Sequence, residues 1–585
     1  MGEPLFPAHV LREYALIADG ERGAIMGPKG DIGWLCVPRW DSDAVFSSMM
    51  GGPGHYSVCP RDPWYVWGGY YEEGSLIWHS RWVTSTGILE CREALLFPSD
   101  PKKVTVLRRI LPIDEDARVE VALDVRAGFG RHSMTDLQQH GGVWTARSGS
   151  LRVRWSGAEQ ARADRSGGLR LALDVEKGRH HDLVLEISAD SIDDELIPAG
   201  DLWRQTETMW SAEVPQFGDN LAPRDSRHAY SVLRGLTTSG GGMVAAATLG
   251  LPERAEAGRN YDYRFAWIRD QCFVGQAVAA TGSHGLLDAA VSFVSERVLD
   301  DGPKLAPAYR VDGSGVPDEH TLSRLPGYPG GEPKTGNWVN KQFQLDALGE
   351  ALLLFASAGA HDQLDVDRWR AVEAGVEAIE ARWRDPDAGI WELHDDHWTH
   401  SRLMCCAGLR AVAALAPPAQ ASKWSALADI ISADAASDCL DPSGRWKRAP
   451  TDDRVDAALL LPGIRGAYPA SDPRHRATYD AVADELARDG YVYRFRHDER
   501  PLEDAEGAFL LCGFFMALAA HQLDKPVEAR AWFERNRAAC GPPGLFTEEF
   551  DVLERQLRGN FPQAFVHALL LECASTLSQS SADAQ

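Results

Sequence analysis

The chain changes its hydrophobic rhythm once, near residue 215. Up to about residue 190, apolar and polar positions alternate in runs rich in β-branched and aromatic residues: DIGWLCVP, SLIWHSRWVT, ILECREALLF, KVTVLRRILPI, ARVEVALDV, LRVRWS, LRLALDV and HDLVLEI. Turn residues (TSTG, IDEDA, RSGS, EKGR) separate them, which predicts an antiparallel β-sandwich. A short linking helix is expected over 201–213, followed by the polar, Pro-containing connector AEVPQFGDNLAPRDSRH. From there the period is helical. The pattern predicts helices over 228–238, 268–281, 285–299, 340–358, 366–383, 400–416, 421–438, 455–464, 475–488, 507–523, 526–538 and 561–577. Very apolar segments such as GAFLLCGFFMALAAHQL alternate with amphipathic ones such as VDRWRAVEAGVEAIEARW. Buried inner helices and half-wet outer helices account for that alternation. Six helical hairpins predict an (α/α)6 toroid whose long connections meet at one end and build a pocket. An irregular helical domain is the plainer alternative, and no strict repeat of a solenoid kind is present. The expected division is a β-sandwich over 1–200, a linker over 201–227, a helical barrel over 228–578 and a polar tail over 579–585.

Charge narrows the partners. Acidic residues number 85 against 60 basic ones, a formal net charge of −25. Such a surface repels phosphate backbones and anionic lipid heads, so neither nucleic acid nor a membrane is an expected partner. No stretch is long and apolar enough for a membrane span, and the first residues show no basic segment followed by an apolar one. The ten cysteines lack CxxC or metal spacing and sit mostly in apolar segments, as expected of buried, reduced thiols in a cytoplasmic protein. Trp is abundant, with 19 residues, which suits either core packing or flat faces for sugar rings.

Residues able to do chemistry cluster between the helices. RNYDYRFAWIRDQ (259–271) sets Tyr261, Tyr263, Phe265 and Trp267 beside Asp262, Arg264, Arg269 and Asp270. An aromatic floor next to an Arg–Asp pair is what a pyranose needs: the ring stacks and the hydroxyls take charge-assisted hydrogen bonds. The same Asp270 also suits the first turn of a helix. In DAGIWELHDDHWTHSR (387–402), Glu392 follows Gly389, Ile390 and Trp391, and apolar neighbours can keep a carboxyl protonated for use as a general acid. His394, His397 and His400 lie in the same stretch without HExxH spacing and read as a wet loop rather than a metal site. GLFTEEFD (544–551) delivers Glu548 and Glu549, either a second catalytic carboxylate or a solvated turn. YVYRFRHDERPLEDAEGAFLLCGFF (491–515) offers Arg494 and Phe509. GxSxG, P-loop and dinucleotide fingerprints are absent.

Taken together, ALIADGERGAIMGPKGDIGWLCVPRWDSDAVF, RNYDYRFAWIRDQ, NKQFQLDALGE, GIWEL, EGAFLLCGFF and TEEFD with QLRGNFPQAF resemble glycoside hydrolase family 15, the glucoamylases, glucodextranases and bacterial trehalases. The resemblance covers nearly the whole chain and implies an N-terminal β-sandwich before a catalytic (α/α)6 barrel. It implies an inverting, exo-acting α-glucoside hydrolase that uses no metal or organic cofactor. Glu392 matches the general acid and Glu548 the general base, with Glu549 the alternative. Trp267, Arg269 and Asp270 match the element that grips the terminal glucose, Tyr263 a tyrosine near the base, Arg494 a sugar-binding arginine and Phe509 an aromatic near the pocket. Trp391 and Lys334 complete the expected sugar-binding set. GGEPKTGNWVN (330–340), with Glu332 and Lys334, stands where many bacterial relatives carry an Arg-rich stretch, which leaves a starch-type preference open. The expected substrate is a small carbohydrate, trehalose or a short malto- or isomalto-oligosaccharide, and a homo-oligomer is compatible with the sequence. The alternatives are the same chemistry on a specialised glycoside, a phosphorylase, and a non-catalytic sugar-binding regulator.

Overall fold

The computed structural model describes residues 6–192, 195–254, 258–282 and 284–582. Residues 1–5 of the expected sandwich and 583–585 of the expected tail lie outside the described residues. All eight alternating runs form strands, within three antiparallel sheets. The largest has eight strands in the spatial order Met134–His140, Val143–Ser148, Leu151–Ser156, His181–Ser188, Lys103–Pro112, Ile88–Leu95, Trp78–Thr84 and Tyr65–Tyr71. A four-stranded sheet, Arg162–Ala163, Leu169–Val175, Ala117–Asp124 and His55–Pro60, shares its apolar core, so that Val119 and Val121 meet a cluster with Val104, Val106 and Ile110. The strands that alternation overlooked include both edges of the large sheet. Met134–His140 is mostly polar and exposed, and Tyr65–Tyr71 carries Gly68-Gly69. Edge strands are wet on one side and need no clean apolar stripe.

The third sheet, Ala15–Ala18, Gly23–Met26, Ile32–Cys36 and Ala44–Phe46, is buried on both faces. Alternate side chains point opposite ways along a strand. Ala15, Ile17, Ala24, Met26, Ile32 and Leu35 join the β core, whereas Leu16, Ala18, Ile25, Trp34 and Cys36 join the core of the helical half; a register shift opposite Ile25 and Met26 breaks the alternation between Ile32 and Trp34. This sheet therefore fastens the two halves together. The linking helix, Ala199–Glu213, is also packed rather than free: Trp203 lies under the Arg92 guanidinium at 4.3 Å, and Trp210 faces Phe97 at 4.8 Å.

All twelve expected helical segments are present in the helical half. Pro223–Leu236, Gly285–Asp301, Val366–Arg382, Pro418–Cys439, Pro473–Glu485 and Pro526–Arg537 form the outer layer. Ile268–Ala279, Asp346–Gly359, Thr399–Ala413, the short pair Ala457–Leu460 and Leu461–Ile464, Leu510–Gln522 and Ala564–Ala582 form the inner one. Each inner segment packs on the next, and the last returns to the first. Burial follows the sequence pattern. Every residue of Leu510–Ala520 is buried, while Val366–Arg382 buries only Ala371, Val372, Gly375, Val376, Ala378 and Ile379.

Several boundaries differ from expectation for local reasons. The segment expected over 340–358 becomes an α-helix only at Asp346, because 338–341 is a 3-10 turn capped by the Asn337 side chain. The helix expected from 507 begins at Leu510, because Ala508 and Phe509 pair with Phe550 and Glu549. The last helix continues to Ala582, through most of the stretch expected as a tail. Among the described residues no helix is long and apolar enough to cross a membrane. All ten cysteines are free, and eight are buried.

Candidate active site

The N-terminal ends of the inner helices share one end of the ring, and the segments feeding them line a cavity of about 340 Å³. Of the expected residues, Tyr263, Trp267, Arg269, Asp270, Trp391, Glu392, Arg494 and Glu548 line it. Trp267 stands in a two-residue strand, Ala266–Trp267, that pairs with Ala308–Tyr309 and runs directly into the helix at Ile268. A small separate core of Ala245, Phe265, Ala308, Val316 and Val339 supports it from below. Phe265 is thus a buried support, and the aromatic floor is made by Tyr261, Tyr263 and Trp267. Asp270 is in the first turn of that helix as well as on the cavity wall.

Glu392 sits at φ 55°, a left-handed conformation that a glutamate adopts only where its surroundings hold it. Those surroundings are visible. The buried Asp387 carboxylate accepts from the Gly389 N–H at 2.8 Å and the Ser401 hydroxyl at 2.9 Å. Gly389 has φ 67°, and a Cβ there would meet Trp398 at 2.7 Å, so only glycine lets the loop lie on that ring. Trp391 donates its indole N–H to Asp456 at 2.9 Å and meets the edge of Phe509 at 5.6 Å. The Glu392 carboxylate accepts from the Trp267 indole N–H at 2.7 Å, and Arg269 Nη2 lies 3.6 Å away. Arg269 is itself fixed by the Ile390 carbonyl at 3.0 Å. Burial pushes the Asp270 carboxyl up to about 6 despite Arg269 beside it.

Glu548 precedes the strand Glu549–Asp551, which pairs with Ala508–Phe509 on one side and Gln556–Arg558 on the other. The solvated-turn reading of this pair is wrong: Glu548 and Glu549 are both buried. Strand alternation sends them in opposite directions. Glu548 faces the cavity, while Glu549 pairs with Arg259 at 3.3 Å and accepts from the Gly507 N–H. The Tyr263 hydroxyl donates to Glu548 Oε2 at 2.9 Å. Burial raises the Glu548 carboxyl well above the usual range; Glu253 adds to the rise, while Arg494 and the Tyr263 hydrogen bond oppose it. The two carboxylates thus stand at opposite ends of a relay. Glu392 touches Trp267, Trp267 meets Tyr263 with ring centroids 5.5 Å apart, and Tyr263 touches Glu548.

Two expected residues fall outside the cavity lining. Phe509 is buried beneath it, with the Arg494 guanidinium 4.0 Å above its ring, so it supports that arginine instead of facing the cavity. Lys334 belongs to a two-residue strand and pairs with Glu319 at 3.0 Å; its stretch reaches the cavity through Trp338 instead. The histidine stretch splits. His394 is exposed, but His400 is buried in the helix Thr399–Ala413, where burial pushes its imidazole down to about 3. Among the described residues no His/Cys/Asp/Glu group could hold a metal ion.

Sequence reasoning missed Glu253, Arg259, Trp338, His497, Arg500 and Gln563, which also line the cavity. It missed Glu506 as well, a buried carboxylate that pairs with Arg494, Arg259 and His497. Glu253 lies in LPERAEAGRN, a polar stretch whose only signal was its place just ahead of the aromatic segment.

Residues 7–209 match the family described as trehalase-like, N-terminal. The "Trehalase" of Mycobacterium tuberculosis is 30% identical over 97% of this chain and 89% of its own length. That of Mycolicibacterium smegmatis is 30% identical over 97% and 91%. In fold, the chain is similar to a bacterial glucoamylase crystallised with acarbose, at TM-score 0.70 and 13% identity, covering 99% of this chain and 95% of that one. Residues 230–575, more than half of the chain, match glycosyl hydrolases family 15; the chain belongs to this family and is a glycoside hydrolase.

Proposed function

We propose that the protein is an inverting, exo-acting α-glucoside hydrolase that releases β-D-glucose from trehalose or another small α-glucoside. The observation that carries this reading is the placement of Glu392 and Glu548 on one cavity, at opposite ends of the Trp267–Tyr263 pair. An inverting hydrolase needs one carboxylic acid to protonate the leaving oxygen and a separate carboxylate to activate water on the other face, with room for that water between them. Glu392, oriented by Trp267 and Arg269, gives its proton to the glycosidic oxygen as the bond to C1 breaks. Glu548 takes a proton from the water whose oxygen joins C1 from the opposite side. Trp267, Tyr263 and Tyr261 offer flat faces to the sugar, and Arg269, Asp270 and Arg494 offer charge-assisted hydrogen bonds to its hydroxyls. The names carried by the mycobacterial relatives favour trehalose. The scaffold is read as a β-sandwich over 1–200 joined by 201–227 to an (α/α)6 toroid over 228–578. The antiparallel sheets and the ring of inner helices support this.

The test is time-resolved proton NMR of the purified protein with trehalose, maltose, isomaltose and nigerose in separate tubes. The expected result is early β-glucose, fastest from trehalose. From trehalose, inversion gives equal early amounts of β-glucose and α-glucose, because the leaving half keeps its α configuration; early α-glucose without β-glucose overturns inversion, and no release from any tube overturns the substrate class.

A further inference from the structure

Glu253 has no part in the acid–base pair, yet it is only 5% exposed and its carboxylate lines the same cavity. The Tyr263 hydroxyl lies 3.4 Å from Glu253 Oε1 and 2.9 Å from Glu548 Oε2. A phenol has a single proton to donate, so two carboxylates compete for one donor. The countercharge is shared too. Arg259 is the ion-pair partner of Glu253, but the same guanidinium also pairs with Glu549 and Glu506. One cation spread over three buried carboxylates does not neutralise Glu253.

We infer that Glu253 is a positioning residue for the hydrolysis: by sharing the Tyr263 hydroxyl with Glu548 and keeping its negative charge beside it, it sets the pH below which Glu548 stops accepting a proton from water. The inference rests on the proposed role of Glu548 as base. Like charges at one site raise the proton affinity of one of them. The other groups around Glu548 do not cancel this. Asp270 and Glu392 lie across the cavity, Glu549 is next in the chain and Cys512 packs from the helix Leu510–Gln522. Arg259, Arg269, Arg494 and Arg500 are the arginines on the cavity wall; Arg259 is shared among three carboxylates and Arg494 is already engaged by Glu506. Among the charges near Glu548, that of Glu253 does most to raise its carboxyl. The consequence is a base whose carboxyl holds its proton to higher pH than an ordinary glutamate does, through burial first and the Glu253 charge next.

The experiment is the pH profile of kcat/KM on trehalose for wild type, Glu253→Gln and Glu253→Asp. Glutamine keeps the shape and can still accept from Tyr263 and Arg259, but it removes the charge. The acidic limb of Glu253→Gln is expected to move down by about one pH unit or more. The variant would then outrun wild type several-fold at pH values below the wild-type limb. Glu253→Asp keeps the charge and should hold the limb near its wild-type position. A merely structural role would lower the rate at every pH and leave the limb in place; an unmoved limb in Glu253→Gln overturns this inference alone. A folded wild-type protein with no turnover of trehalose or any other α-glucoside overturns the proposed function, and this inference with it.

Discussion

Purified Glu392→Gln and Glu548→Gln proteins are expected to hydrolyse trehalose on the order of 10³-fold more slowly than wild type, each for a different reason. That loss corresponds to about 4 kcal/mol of transition-state stabilisation. Glu392→Gln keeps an acceptor for the Trp267 indole N–H, and Glu548→Gln keeps one for the Tyr263 hydroxyl, so neither substitution should disturb the cavity wall. A substrate that needs no acid separates the two. The fluoride of α-glucosyl fluoride departs without protonation, so Glu392→Gln should recover much of its rate on this substrate. Glu548→Gln should not, because its defect lies in activating water. Wild-type rates on trehalose from either variant would remove that residue from the mechanism. Recovery of Glu548→Gln but not Glu392→Gln on the fluoride would exchange the two roles.

The same pair shows how far the sequence could be read. Trp267, Arg269 and Asp270 were legible because their neighbours in the chain are also their neighbours in space: a two-residue strand runs straight into a helix whose first turn they form. Glu392 was legible by its apolar neighbours, although nothing in GIWEL foretold its positive φ or the Asp387 carboxylate that cinches its loop. Glu548 and Glu549 could be named but not told apart, since only pairing with Ala508–Phe509 decides which face each takes. Lys334 and Trp338 posed a harder problem. They share one short stretch, and which of them reaches the cavity depends on its pairing with His320–Thr321, for which the sequence holds no local signal. Glu253 was invisible for a further reason. Its partner Glu548 comes from the far end of the chain, and a glutamate in a polar loop is ordinary until the fold brings another carboxylate beside it. The helical layers were read well because burial on one face or all faces is written in each segment. The helix starts were read less well where capping turns and short strands compete with the helix.

Replacement of Arg264 by Met is expected to destabilise the protein by about 3–5 kcal/mol. Arg264 and Asp262 are both fully buried, and the guanidinium makes two parallel 2.8 Å bonds to the carboxylate. It also donates to the Ser42 carbonyl at 2.8 Å and the Trp40 carbonyl at 3.2 Å, in the segment that follows the strand Ile32–Cys36. One side chain thus ties the segment that carries Tyr263 and Trp267 to the sheet shared by the two cores. Removing it leaves a buried carboxylate uncompensated and two carbonyls without their donor, and those losses set the size of the effect. The double replacement Arg264→Met with Asp262→Asn removes the stranded charge and should recover part of the loss; chemical denaturation of both variants measures this. Because Trp267 and Tyr263 orient the two carboxylates, the single variant should lose activity below its unfolding transition as well. A shift of less than about 1 kcal/mol would show that the pair is no stronger than a surface ion pair and that the aromatic floor is held by its own small core alone.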